Sequence, residues 1–146
     1  ASLVGSEMCI RDRVIVCVDD GMGMLFNHRR QSRDRVLIQR ILEITKGKQI
    51  FMNTYSAELF EGNENICIDD DFLKNAGDGD ICFVENEALS GYMEKIEKII
   101  VYKWNRRYPA DLYLDIPLAE NEWQLVESYD FKGYSHEKIT EEVYER

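Results

Sequence analysis

Val14-Ile-Val-Cys-Val18, followed by Asp19-Asp20-Gly21, is a short β-branched run that stops at a polar turn. A run that is apolar at every position reads as a strand buried on both faces and entering a loop. That loop extends to about Gln31. Beyond it Ser32 is a suitable N-cap, Asp34 falls in the first turn, and Val36, Leu37, Ile41 and Ile44 recur at helical spacing until Gly47. Three more short apolar runs follow: Gln49-Ile-Phe-Met52, Ile66-Cys-Ile68 and Ile81-Cys-Phe-Val84. Between them, brief helices are expected over Ser56 to Phe60 and from Asp69-Asp-Asp71 through Ala76, with a turn at Gly77-Asp-Gly-Asp80. Glu87 to Ile96 reads as another helix. Alternation of this kind predicts an α/β fold whose central sheet is mostly parallel and flanked by helices. The tail differs: Ile99 to Trp104, Leu112 to Leu114, Trp123 to Glu127 and Ile139 to Tyr144 are strand-like without a long helix between them, which predicts a C-terminal antiparallel hairpin.

With 146 residues, 45% of them hydrophobic, the chain suits one core. No apolar run approaches the roughly 20 residues that span a bilayer, and the expected setting is the cytoplasm. Cys9, Cys17, Cys67 and Cys82 form no C-x-x-C pair, and His28 and His136 lie far from them, so neither a zinc site nor a disulfide framework is expected. The net charge of −10 disfavours nonspecific attraction to nucleic acid or to anionic membranes. An anionic ligand would need a local basic patch.

Leu3-Val-Gly-Ser-Glu-Met-Cys-Ile-Arg-Asp12 resembles a translated frame of the transposase adaptor used in shotgun sequencing libraries. Residues 1–13 are accordingly set apart as a tail of non-native origin, with Cys9 given no role, and 14–146 is taken as the domain. Glu7, Arg11, Asp12 and Arg13 cancel, so the acidity belongs to the domain.

Several segments resemble dihydrofolate reductase. Val18-Asp19-x-x-x-Gly23-Met24 is similar to that family's first strand and mobile active-site loop, and Lys98-Ile-Ile-Val-Tyr102 to the strand after its last helix. Ala110-Asp-Leu-Tyr-Leu-Asp-Ile116 resembles its Gly-Asp-Thr-x-Phe-Pro segment. Trp123-x-Leu-Val126, Asp130-Phe131 and Glu142-Val-Tyr-Glu-Arg146 resemble its C-terminal hairpin. The resemblance spans the chain from Val14 onward, with a middle shorter by about one strand and part of a helix. It implies a dihydrofolate reductase-like fold and raises the question of NADPH and a pterin.

Function carries over only residue by residue. Where the family has a Gly-Arg-x-Thr turn that holds cofactor phosphates, this chain has Met52-Asn-Thr-Tyr-Ser56, retaining Thr54 without the arginine. Where the family has two glycines that let a pyrophosphate approach, it has Glu85-Asn-Glu-Ala88, whose carboxylates are expected to repel a diphosphate. No NADPH site in the usual pose is expected. Asp34 reaches the place of the family's acid only if one residue is deleted. It is the candidate catalytic group, with a pKa that burial would raise, the bland alternative being a carboxylate that favours the helix start. Tyr102 stands for the family's threonine.

Two basic clusters stand out, His28-Arg29-Arg30-Gln-Ser-Arg33 and Trp104-Asn-Arg106-Arg107-Tyr108. If they converge on one mouth, guanidinium groups beside aromatic rings suit a phosphate, a nucleotide or a short single strand; otherwise they pair with surplus carboxylates. Asp19 and Asp111 are expected to anchor one loop to the other. Three functions follow as expectations: a degenerate reductase-like domain binding a small anion or a protein partner, an active reductase using Asp34, and an RNA-binding or RNA-processing protein. A ribonuclease Z type of nuclease is disfavoured, since its H-x-H-x-D-H motif is missing.

Overall fold

The computed structural model describes residues 12–75, 80–119 and 122–146. The expected turn at Gly77 to Gly79, Ala76 and residues 1–11 of the proposed tail lie outside them. The strands are β1 (Asp12–Val18), β2 (Gly23–Phe26), β3 (Arg29–Arg30), β4 (Ile50–Met52), β5 (Ile66–Ile68), β6 (Ile81–Phe83), β7 (Ile96–Lys103), β8 (Leu112–Tyr113), β9 (Gln124–Phe131) and β10 (Ile139–Glu145). The helices are α1 (Arg35–Ile44), α2 (Thr54–Ala57) and α3 (Phe72–Asn75), with single 3-10 segments at Glu58–Phe60 and Ser90–Lys95.

Seven strands form one sheet in the order β5-β4-β6-β1-β7-β10-β9. The first five run parallel, and β10 and β9 close the sheet as an antiparallel hairpin. The mixed α/β fold read from the sequence is therefore present. β1 sits at the centre, and alternation along it splits the core in two. Val14, Val16 and Val18 face a cluster with Met24, Phe72, Leu89 and Trp123, whereas Ile15 faces Leu37, Ile41, Phe60, Phe83 and Tyr102 beneath α1.

Three local readings change. Asp34, not Ser32, is the N-cap of α1, because its carboxylate accepts from the Val36 N–H at 2.9 Å. Glu87 to Ile96 is not a helix. Asp115 takes the N–H groups of Leu89 and Ser90, one 3-10 segment follows, and Ile96 already belongs to β7, aligned with Asp12 of β1. Third, the long loop before α1 contains a hairpin. Asn27 and His28, both in the left-handed region (φ 52° and 63°), connect β2 to β3 as a two-residue type I′ turn. β2 also pairs with β8, so a small three-stranded sheet lies beside the main one.

Candidate functional site

At the turn from β4 into α2, Thr54 donates from both its backbone N–H (2.8 Å) and its hydroxyl (2.9 Å) to one oxygen of Asp70. The position that the resemblance assigns to a cofactor phosphate thus carries the chain's own carboxylate. Beside it Asn53 caps α2 and donates to Asn86 and Glu87.

The residues after β6 meet the β2–β3 hairpin. Glu85 is buried, and Arg30 grips it with two contacts, Nε to Oε2 at 2.9 Å and Nη2 to Oε1 at 3.2 Å, while the Ser56 hydroxyl donates to Oε1 at 2.8 Å. Arg30 also reaches Glu58 at 2.6 Å and the Tyr55 carbonyl, and its guanidinium lies 4.4 Å from the Tyr55 ring centre. Arg30, expected at a ligand mouth, thus bonds to Glu85, Glu58 and Tyr55. Glu85, in turn, is not a bare repelling charge, because Arg30 neutralises it and the pair fills the space between hairpin and sheet.

Asp34 organises a second centre. Besides Val36, its carboxylate accepts from the N–H groups of Tyr134 and Ser135 at 2.8 Å each, from the Ser135 hydroxyl at 3.2 Å, and from the Nδ1 of His136 at 2.9 Å. Burial pushes the Asp34 pKa up. The Tyr134 N–H, the His136 ring and the Ser135 and Val36 N–H groups outweigh it and hold the carboxyl well below the usual carboxylate range. The expected raised pKa is thus reversed. An ionised carboxylate only accepts, so the Nδ1 of His136 carries the proton, and Nε2 faces two hydroxyls, Ser32 and Tyr108, each at 3.1 Å. The Trp104 ring stacks on the imidazole with centroids 4.6 Å apart.

The chain reaches this geometry through close backbone approaches. A Cβ at Gly133 would lie 2.6 Å from Asp34 Oδ2, so the turn before β10 reaches the carboxylate only as glycine. Asp19 accepts from the N–H groups of Gly21, Gly23 and Tyr108 and from the Gln31 amide, and Asp111 accepts from the Asn27 N–H at 3.0 Å. These bonds tie the hairpin and the 104–111 loop together.

Arg33 and Arg106, one from each basic cluster, line separate spaces. Arg33 lies with Asp34, Arg35, Ile38, Gln39, Leu42, Glu58, Leu59 and Asn63 around a groove of about 390 Å³ beside α1. Arg106 lies with Asp20, Trp104, Asn105, Glu137 and Lys138 around a polar cavity of about 470 Å³, and it donates to the Ser135 carbonyl. Trp104 is buried and stacked on His136, and the Tyr108 hydroxyl is bonded to the same imidazole. His28, Arg29 and Arg107 are exposed. Tyr102, in the place of the family's threonine, is buried and donates to Glu141, which Arg40 grips from α1. The cleft that Ser32, Arg33, Asp34, Leu37, Phe83, Glu85 and Trp104 line holds about 10 Å³, room for at most one water.

Sequence reasoning offers His136 only as a possible metal ligand and gives no role to Ser135 or Gly133. Their partner Asp34 is 102 residues from His136, and the available signal, a Gly-x-Ser-His turn between two strands, reads equally well as an ordinary loop.

Family models and curated proteins yield no sequence match to the chain. Its structure is similar to that of dihydrofolate reductase from Enterococcus faecalis complexed with NADP(H) and RAB-propyl, at a TM-score of 0.64 and 8% identity, over 93% of this chain and 96% of that one. The likeness shows the fold. That fold is dihydrofolate reductase-like.

Proposed function

We propose that this fold no longer supports NADPH-dependent reduction and works in the cytosol as a binding protein for a small organic anion with an apolar body. The observation that carries the first half is the filled cofactor side. Asp70 occupies the Thr54 donors and the Arg30–Glu85 pair occupies the cleft by the sheet, so a diphosphate would have to displace two carboxylates already bonded to their partners. The reductase alternative, with Asp34 as acid, loses support from the five donors that favour its ionised form. Nucleic acid is less suited than a small molecule, since Arg33 and Arg106 line different spaces and the rings beside Arg106 are engaged.

The groove beside α1 supplies the second half. Ile38, Leu42 and Leu59 give its lining an apolar part, and Arg33 and Arg35 a cationic one, with Glu58 already paired to Arg30. Arg35 lies flat on the Tyr134 ring, 3.7 Å from its centre, which leaves the guanidinium edge to donate. An aryl or branched alkyl carboxylate matches this set. In a thermal-shift titration, such carboxylates should raise the melting temperature by about 3–5 °C at ten times their Kd, and Arg33→Ala should remove the effect. Equal shifts from the corresponding neutral amides, or none from either, would overturn the assignment.

A further inference from the structure

We propose that Ser32, His136 and Asp34 form a nucleophilic site that takes an acyl group from an ester. The arrangement has the parts that such chemistry needs: a hydroxyl on the imidazole Nε2, the other ring nitrogen on a carboxylate, and a carboxylate fixed by further donors. Trp104 against the ring face and the Gly133 turn around Asp34 hold the imidazole in one orientation. Ser32 is half-buried and lines the narrow cleft, which adjoins the groove through the shared residues Arg33, Asp34, Ile38 and Leu59.

In the step, the Ser32 oxygen attacks the ester carbonyl carbon while its proton passes to the Nε2 of His136. The tetrahedral oxyanion collapses, the bond to the alkoxy group breaks, and the leaving oxygen takes the proton from Nε2. An acyl-serine and an alcohol result. Water then attacks the acyl-serine by the same proton route and releases the acid. Asp34 stabilises the imidazolium formed in between. Tyr108, its hydroxyl 3.1 Å from the same nitrogen, is placed to donate to the oxyanion once Nε2 is protonated.

The class of ester rests on the groove reading; the reactivity of Ser32 does not. The test therefore uses a minimal acyl donor. The full chain is incubated with para-nitrophenyl acetate, nitrophenolate release is followed, and the acetylated residue is mapped by mass spectrometry after an acid quench. The expected result is a burst of about one equivalent with the acetyl group on Ser32, absent in Ser32→Ala. His136→Gln and Asp34→Asn should each slow the burst by at least about 100-fold, and Tyr108→Phe by about tenfold or more. Ser32→Ala and Tyr108→Phe remove one oxygen each and keep the test valid if the buried variants misfold. Acetylation spread over lysines with none on Ser32, or a rate unchanged by Tyr108→Phe, would overturn the proposal. Acetylation of Ser32 that persists when no carboxylate binds the groove would overturn only the groove reading.

Discussion

The Asp34 carboxylate gathers five donors from two segments a hundred residues apart, so its charge is part of what holds α1 against the turn before β10. Asp34→Asn keeps the size but replaces an acceptor oxygen by a donor facing N–H groups. It should cost about 2–4 kcal/mol, measured by urea unfolding at neutral pH. The folded-state pKa is lowered, so the stabilising contribution is complete above the unfolded carboxylate value near 4 and is lost as pH falls through the folded one. The wild-type advantage over Asp34→Asn should therefore shrink below about pH 4; an advantage growing toward acid would contradict the ionised assignment. At the hairpin tip, His28 occupies a left-handed conformation that glycine adopts without strain. His28→Gly should stabilise the protein by about 0.5–1 kcal/mol, seen as a higher denaturant midpoint at unchanged slope. At this scale the sequence singled out Asp34 but not its charge state, because the donors that decide it come from a turn no local pattern links to residue 34.

Among the elements, the β2–β3 hairpin depends most on a single pair. Arg30 and Glu85 are both largely buried and hydrogen-bonded, so removing either leaves an uncompensated charge. Arg30→Met and Glu85→Gln should each destabilise by about 3–5 kcal/mol, with a coupling of about 1–3 kcal/mol in a double-mutant cycle. Additive effects would mean that the pair does not clamp the hairpin. The turn before β10 offers a second check. Gly133→Ala forces a methyl group onto Asp34 Oδ2 and the Ile139 side chain, and should speed amide exchange at Tyr134 and Ser135. β1, β4, β5, β6 and the C-terminal hairpin were legible as apolar runs bounded by turn residues. The β2–β3 hairpin was not, since Asn27-His28 lacks the glycine that usually marks a type I′ turn. The stretch from Glu87 misled for the opposite reason: its helical spacing is genuine, but Gly91 weakens it, Asp115 caps its first N–H groups, and pairing with β1 draws Ile96 into β7.

Across the whole molecule, topology and site separate. The order of strands and helices survives at 8% identity because it depends on where apolar residues recur, a property many sequences share. The cofactor side depends on a few polar residues, and in this chain they bond to one another: Thr54 to Asp70, Ser56 and Arg30 to Glu85. That the glycines and the arginine of the resembling family are missing is legible in the sequence; the Arg30–Glu85 bond is not, because its two ends lie 55 residues apart. A diphosphate would have to break these bonds, so isothermal calorimetry of the full chain with NADPH should show no saturable heat up to about 1 mM, and no gain when dihydrofolate is added; saturable binding with a Kd near 1 μM, about 8 kcal/mol, would mean instead that the cofactor is taken.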